Sequence, residues 1–145
     1  MQKVLLVSAN TETIKKIEDF FKCFGNRLSF EIIVAKNGWE AEAMLDPSDN
    51  TFRGPFNLVV VDLNIPYYER PAGSLEFITA SMKMYDKYIL SRTIVLKRSA
   101  GPLAIPCSGL NPGFTQNEFK EAISDRLIEA GLLEAQERTL DHVAA

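Results

Sequence analysis

The sequence has few of the residues on which metal sites and disulfide frameworks depend. Its 145 residues include one histidine and two cysteines. Two cysteines are too few for a disulfide framework, and with His142 alone they cannot complete a zinc site. We expect Cys23 and Cys107 to be small, buried apolar residues.

An excess of basic residues is also missing. Lys and Arg number 16 against 19 Asp and Glu, which gives a formal net charge of −3 and a pI of about 5.2. This balance argues against a general nucleic-acid binder or a binder of membrane surfaces. The first apolar run, residues 4–7, is too short for a signal peptide, and no run approaches the roughly 20 residues of a membrane span. A cytoplasmic protein is therefore predicted.

What the chain does contain is enough apolar sequence for one core. Hydrophobic residues make up 46% and charged residues 24%. A chain of this size buries about two-thirds of its unfolded surface without a metal or disulfide. We predict one domain over residues 1–131 and a C-terminal tail over residues 132–145.

Short apolar runs alternate with helical patterns along the chain. The runs lie at residues 4–7, 30–34, 58–61 and 93–96, with a weak fifth candidate at 104–105 or 107–108. Because the runs are continuous, without polar alternation, they predict a parallel sheet covered on both faces. Ligands of such sheets bind at the carboxyl ends of the strands.

Helices are predicted between these runs from apolar spacing and capping residues. The first begins at a cap on Asn10 or Thr11 and ends at Gly25. Two more are predicted, one from Trp39 to near Asp46-Pro47 and one from residue 74 towards 85.

The last helix has the clearest start signal in the chain. Thr115 and Glu118 form a capping box, in which the hydroxyl and the carboxylate satisfy each other's backbone amides. Gly131 is the predicted end of this helix.

The residues around the third strand resemble a response-regulator receiver domain. Asp62 ends that strand and Pro66 follows four residues later, as the phosphoacceptor aspartate and a proline do in the family. Asn37-Gly38 at the start of the second helix and Ser99 after the fourth strand also fit. The resemblance covers residues 3–127. It implies an α/β, flavodoxin-like fold: a five-stranded parallel sheet of order 2-1-3-4-5 with helices on both faces.

The sequence departs from the family at the positions that carry its chemistry. The family has an acidic pair directly after the first strand to hold magnesium, where this chain has Ser8 and Ala9. The family also has a lysine after the fifth strand, where this chain has Asn111. Asn10 offers one amide oxygen and Asp62 the one carboxylate, whereas a hard dication needs several anionic oxygens. We therefore predict no cofactor, and weak magnesium binding at best.

The predicted site is centred on Asp62, at the phosphoacceptor position. The residues expected to line it are Ser8, Ala9, Asn10, Asn64, Lys97, Ser99 and Asn111. A buried carboxylate needs a partner, so Lys97 is expected within ion-pair reach of Asp62, with Arg98 as the second choice. In the competing interpretation, Lys97 and Arg98 are a solvated charge pair.

These departures imply a pseudo-receiver of two-component type, which is not an enzyme and acts through protein–protein contacts. Its expected partner is a signalling protein, with a histidine kinase as one candidate. The alternative is an unorthodox phosphoacceptor, phosphorylated on Asp62 in a phosphorelay. A small flavodoxin-like enzyme or nucleotide binder is a third reading. It is disfavoured because the chain has no glycine-rich phosphate cradle and no Ser-His-Asp arrangement.

A partner or homodimer surface is predicted where the family has its fourth helix. That helix is expected to be short or missing, because two prolines interrupt residues 101–106. Leu103 and Ile105 in this loop either pack on the fifth strand or form an apolar contact surface. The exposed residues of the last helix expected to join this surface are Lys120, Glu121 and Ser124.

Overall fold

A computed structural model of the chain describes residues 2–24, 29–64, 83, 84, 88–97 and 108–129. Five strands form one parallel sheet in the order β2-β1-β3-β4-β5, which confirms the predicted fold class. The strands are β1 (Gln2–Val7), β2 (Phe30–Ala35), β3 (Leu58–Asp62), β4 (Thr93–Leu96) and β5 (Ser108–Leu110).

Three α-helices are described, together with a 3₁₀ turn over Ile89–Arg92. They are α1 (Thr11–Lys22), α2 (Gly38–Leu45) and α3 (Gln116–Glu129). Asparagine side chains cap the first two: Asn10 accepts from the Thr13 amide and Asn37 from the Glu40 amide. These bonds satisfy amides that the helix itself leaves without partners.

The predicted capping box is present at the start of α3. The Thr115 amide donates to Glu118 Oε1, and the Glu118 amide donates to Thr115 Oγ1, both at 3.1 Å. This reciprocal pair sets where the helix begins.

The sheet has an apolar core on each face, because successive strand residues point to opposite sides. Val4 and Leu6 of β1 pack with α1 and α3, whereas Leu5 and Val7 pack with α2. All five residues of β3 are buried, as expected for a central strand covered on both faces. The helices therefore lie on both faces, as predicted.

The end of α1 differs from the prediction. The helix stops at Lys22, and the amide of Cys23 caps it by donating to Asp19 O and Phe20 O at 3.3 and 3.2 Å. Gly25 lies outside the described residues. Cys23 is exposed, so its predicted burial is wrong. Phe21 and Phe24 take the positions that face the core, which leaves the cysteine between them on the solvent side.

The predicted exposed face of the last helix is also wrong in part. Lys120 and Ser124 are 4% and 1% exposed, and only Glu121 is exposed as expected. Lys120 and Ser124 lie one turn apart, each directly after a core residue, Phe119 or Ile123. They extend the buried stripe sideways, so they cannot form an open surface.

Several predicted features lie outside the described residues. These are residues 74–82 of the helix predicted from residue 74, the loop with Leu103 and Ile105, Cys107, Gly131 and the tail 132–145. Residues 83 and 84 of that predicted helix are described and are helical. β5 begins at Ser108, which belongs to the second of the two positions predicted for it, residues 107–108. Within the part of the chain that is described, no helix is long and apolar enough to cross a bilayer.

Candidate functional site

The carboxyl edge of the sheet brings together residues that are far apart in sequence. Val7 is in register with Val61, and Asp62 is in register with Leu96. The next residues, Ser8 after β1 and Lys97 after β4, therefore lie at the same edge as Asp62. The parallel register, and not sequence proximity, assembles this site.

The Asp62 carboxylate accepts one hydrogen bond on each oxygen. Ser8 Oγ donates to Oδ2 at 2.9 Å, and the amide of Asn64 donates to Oδ1 at 2.9 Å. Ser8 is fully buried and Asp62 is 6% exposed. The Asn10 amide in turn donates to Ser8 Oγ at 3.2 Å. The serine hydroxyl thus links the start of α1 to the carboxylate at the end of β3.

A cleft of about 190 Å³ opens beside this carboxylate. Asp62 and four of the predicted residues line it: Asn10, Asn64, Lys97 and Asn111. Ser8 is not among the lining residues and is connected to the cleft by its hydrogen bond to Asp62. Ala9 is exposed. Ser99 and Arg98 lie outside the described residues. The role assigned to each of these residues stays a prediction.

Lys97 lines the same cleft as Asp62, and its amide donates to Leu110 O at 2.9 Å. The hydrogen-bond partners described for the Asp62 carboxylate are a hydroxyl and a backbone amide. The expected Lys97–Asp62 ion pair therefore stays a prediction.

Sequence reasoning missed a second lysine in the cleft. Lys16 lines it from α1, together with Thr13. The signal was available, since Asn10, Thr13 and Lys16 are spaced by three residues and so share one face of the helix. The capping role of Asn10 already indicated that this face begins at the carboxyl edge of the sheet.

The position of Lys16 depends on Phe114, which follows a tight turn after β5. Gly113 has φ of 76°, in the left-handed region that glycine tolerates. The turn brings Phe114 into the core, where it is 8% exposed. Lys16 Nζ lies 3.8 Å from the centroid of the Phe114 ring and 5.6 Å from that of Phe20. Cation–π attraction therefore holds the ammonium at the wall of the cleft.

The metal-ligating groups that the described residues contribute to the cleft are fewer than a divalent metal requires. Within the described ranges, no group of three or more His, Cys, Asp or Glu side chains is placed to hold an ion. Asp62 supplies one carboxylate, Ser8 uses its hydroxyl proton to bond that carboxylate, and Ala9 has no donor atom. Mg²⁺ requires near-octahedral oxygen coordination, which two neutral positions and one acid do not provide.

The fold is similar to that of several solved receiver domains. One is the receiver domain of a sensor histidine kinase from Pseudomonas aeruginosa with magnesium coordinated in its active-site cleft. It has 16% identity and a TM-score of 0.64, over 85% of this chain and 94% of that chain. A receiver domain from Clostridium thermocellum has 16% identity and a TM-score of 0.67, over 91% and 98%.

The Mn²⁺-bound form of the response regulator Rcp1 has 20% identity and a TM-score of 0.62, over 93% of this chain and 96% of that chain. No protein-family model matches the sequence, and no curated protein matches it. The likeness is thus one of three-dimensional structure, and it extends over nearly the whole length of each domain. The chain has the fold of a response-regulator receiver domain.

Proposed function

We propose that this protein is a receiver-like signalling module of two-component type that acts through protein–protein contacts and not as a magnesium-dependent phosphoacceptor or an enzyme. The observation that carries the proposal is the buried hydrogen bond from Ser8 Oγ to Asp62 Oδ2. The neutral Ser8 hydroxyl donates a hydrogen bond to Asp62 Oδ2, at the position where a metal-binding receiver has acidic ligands.

Phosphoryl transfer to a carboxylate needs positioning and charge neutralisation more than covalent chemistry from the protein. With Ser8 and Ala9 after β1, the carboxylates that would hold the metal are missing. With Asn111 after β5, a cation at the lysine position is missing as well. Asp62 keeps its position at the end of β3 but lacks the metal ligands and the lysine that phosphoryl transfer uses. This supports a domain that a partner protein binds in a single, unphosphorylated state.

The neighbours of similar structure point to the class of partner. They include a receiver domain of a sensor histidine kinase and response regulators, which are signalling proteins. A signalling protein, with a histidine kinase as one candidate, or a second copy of this chain is the proposed partner. A small enzyme or nucleotide binder has no support among these neighbours.

The experiment is treatment of the purified protein with Mg²⁺ and acetyl phosphate or beryllofluoride, read by intact mass and by amide NMR. We expect no phosphoryl adduct and no shift of the Asp62 and Asn64 amides at millimolar Mg²⁺. The matched variant is Ser8→Asp/Ala9→Asp, which supplies the acidic pair and should gain magnesium binding.

Asp62→Asn in the Ser8→Asp/Ala9→Asp background is the control that maps any gain to this site. A phosphoryl adduct on the wild-type chain that is lost in Asp62→Asn would overturn the proposal and establish the unorthodox phosphoacceptor instead. Size-exclusion chromatography with light scattering tests the homodimer.

A further inference from the structure

One edge of the sheet is formed by a strand that is almost entirely apolar. β2 is the outer strand beside β1, and Glu31 is the one charged residue among its six. Proteins commonly protect such edges with lysine, proline or a bulge, because unpaired backbone groups attract other strands. β2 has neither lysine nor proline, and its register with β1 is unbroken from Phe30 to Ala35. This edge is therefore open to pairing with another strand.

The hydrogen bonds to β1 show which backbone groups of β2 point outward. The Gln2 amide donates to Ser29 O at 2.8 Å, and the Ser8 amide donates to Ala35 O at 2.9 Å. In a parallel ladder, alternate residues of a strand bond to the same neighbour, so the odd-numbered residues from 29 to 35 face β1. The even-numbered residues point away from the sheet, and they are Phe30, Ile32 and Val34.

The open segment has a defined end at Lys36. The amide of Lys36 follows the same alternation, and it donates to Glu40 Oε2 at 2.9 Å. An amide that already has a side-chain acceptor does not need a second strand. Among the described residues, none hydrogen-bonds to the outward groups at positions 30, 32 and 34. The open edge thus consists of three amides and three carbonyls centred on Ile32.

A second copy of this edge satisfies all of these groups. In an antiparallel pair, two residues of the hydrogen-bonded type exchange both of their backbone bonds. With a twofold axis at Ile32, this residue faces its own copy, and Phe30 faces Val34 of the second copy. The three pairs use every outward amide and carbonyl, and the dimer is closed. A shift of two residues would instead place Phe30 opposite Lys36, whose amide is occupied.

The side chains match in the same register. Phe30, Ile32 and Val34 lie on the face that α1 and α3 cover, and all three are only partly buried. Across the axis they form one Ile–Ile pair and two Phe–Val pairs. Aromatic and β-branched side chains favour such cross-strand pairs. Pairing therefore extends the apolar core of one copy into that of the other.

Glu31 limits the strength of this association. It is exposed, and by alternation it lies on the face opposite to Ile32. In this register the two copies of Glu31 are diagonal neighbours about 7–8 Å apart. Their repulsion weakens the dimer by about two- to threefold in water. A single pair of strands is also a small interface, and small interfaces are transient.

We propose that this protein forms a weak homodimer in which the β2 strands of two copies pair antiparallel about Ile32. The two sheets then become one continuous sheet. The inference rests on the proposed function, which has a second copy of this chain as one possible partner, and it assigns the surface. That surface is at the opposite edge of the sheet from β5.

The test is amide hydrogen exchange of the full chain, followed by NMR at about 20 μM and about 1 mM protein, a range that suits weak binding. In a monomer the outward amides of Phe30, Ile32 and Val34 exchange fast, whereas β1 protects those of Glu31 and Ile33. At the higher concentration the outward amides should slow at least about threefold, and the inward ones should not change. Light scattering should show the mass moving towards that of a dimer.

Two variants test the register. Ile32→Pro removes an amide that the monomer does not use, and an edge strand tolerates proline at such a position. It deletes both bonds at the axis and should weaken the dimer at least about tenfold. Glu31→Gln should strengthen the dimer about two- to threefold, even if Ile32→Pro does not fold. Glu121→Gln is the matched control, because it makes the same charge change at an exposed position of α3 and should leave dimerisation unchanged.

The outcomes separate this inference from the proposed function. A monomer with fast outward amides at about 1 mM overturns the inference and leaves another signalling protein as the partner. A dimer in which these amides stay fast uses a different surface and overturns it as well. Protection that appears only when a different protein is added assigns the edge to that protein and overturns the homodimer. A phosphoryl adduct on Asp62 overturns the proposed function and leaves the strand pairing in place.

Discussion

Ser8→Ala is expected to destabilise the protein by about 2–3 kcal/mol. The variant removes the hydroxyl that donates to Asp62 Oδ2 at 2.9 Å and accepts from the Asn10 amide at 3.2 Å. Ser8 is fully buried and Asp62 is 6% exposed, so water replaces the lost bond poorly. A hydrogen bond to a charged group contributes about 1.5–3 kcal/mol, and the longer bond from the more exposed Asn10 adds at most about 0.5 kcal/mol.

The assay is urea unfolding followed by circular dichroism, with thermal unfolding as a second measurement. For a chain of this size, about 2–3 kcal/mol corresponds to a fall in Tm of roughly 6–9 °C. The matched control is Ser91→Ala, which removes a hydroxyl of the same size whose 2.8 Å bond to Tyr88 O is exposed. Its cost should stay within about 0.5 kcal/mol.

A double-mutant cycle identifies the partner of the hydroxyl. In an Asp62→Ala background, Ser8→Ala should cost at least about 1 kcal/mol less than in the wild type, because the carboxylate is no longer there to be left unsatisfied. Equal costs in the two backgrounds would refute the reasoning, since they would show that Ser8 does not act through Asp62.

Three further predictions concern local structure. Thr115→Ala should lower the free energy of unfolding in urea by about 1 kcal/mol, because it breaks the capping box. In a Glu118→Ala background the same change should lower it by less, since the box is already broken. Gly113→Ala should cost about 1–2 kcal/mol from backbone strain alone, since nothing lies within 4 Å of the added Cβ; a cost near zero would argue against φ of 76°. The pKa of Asp49 is lowered by the Thr51 amide and then by its hydroxyl, so Thr51→Val should raise it part of the way in an NMR titration. A lowered pKa gives stability that is present above the unfolded-state pKa and lost as pH falls through the folded-state value, so this contribution is confined to the acid range. An Asp49 pKa that is unchanged in Thr51→Val would contradict the contribution of the hydroxyl.

The sequence by itself determined the sheet and its helix starts. A continuous apolar run such as residues 58–61 is typical of a strand that is buried on both faces, and the alternation of such runs with helical patterns indicates a covered parallel sheet. Asn10 and the Thr115–Glu118 box act on amides within three residues, so the local sequence is enough to place these helix starts. The position of Asp62 at the end of β3 follows from the same local pattern.

The sequence was less able to show which residues become buried at the margins of the helices. Cys23 was predicted to be buried and is exposed, and Lys120 was predicted to be exposed and is buried. Both lie beside an apolar stripe, where burial depends on which neighbouring elements pack against the helix. Hydrophobicity alone gives no answer there, since a lysine can bury its methylene stem and keep its head near water.

Only the tertiary structure decided the chemistry of the cleft. The register of β1 beside β3 sets Ser8 Oγ 2.9 Å from Asp62 Oδ2, and the turn at Gly113 brings Phe114 against Lys16 of a helix at the other end of the chain. Such contacts join residues that no local pattern connects. The sequence therefore determined that an aspartate ends the central strand, whereas the fold decided that a serine bonds it and that a lysine from α1 shares its cleft.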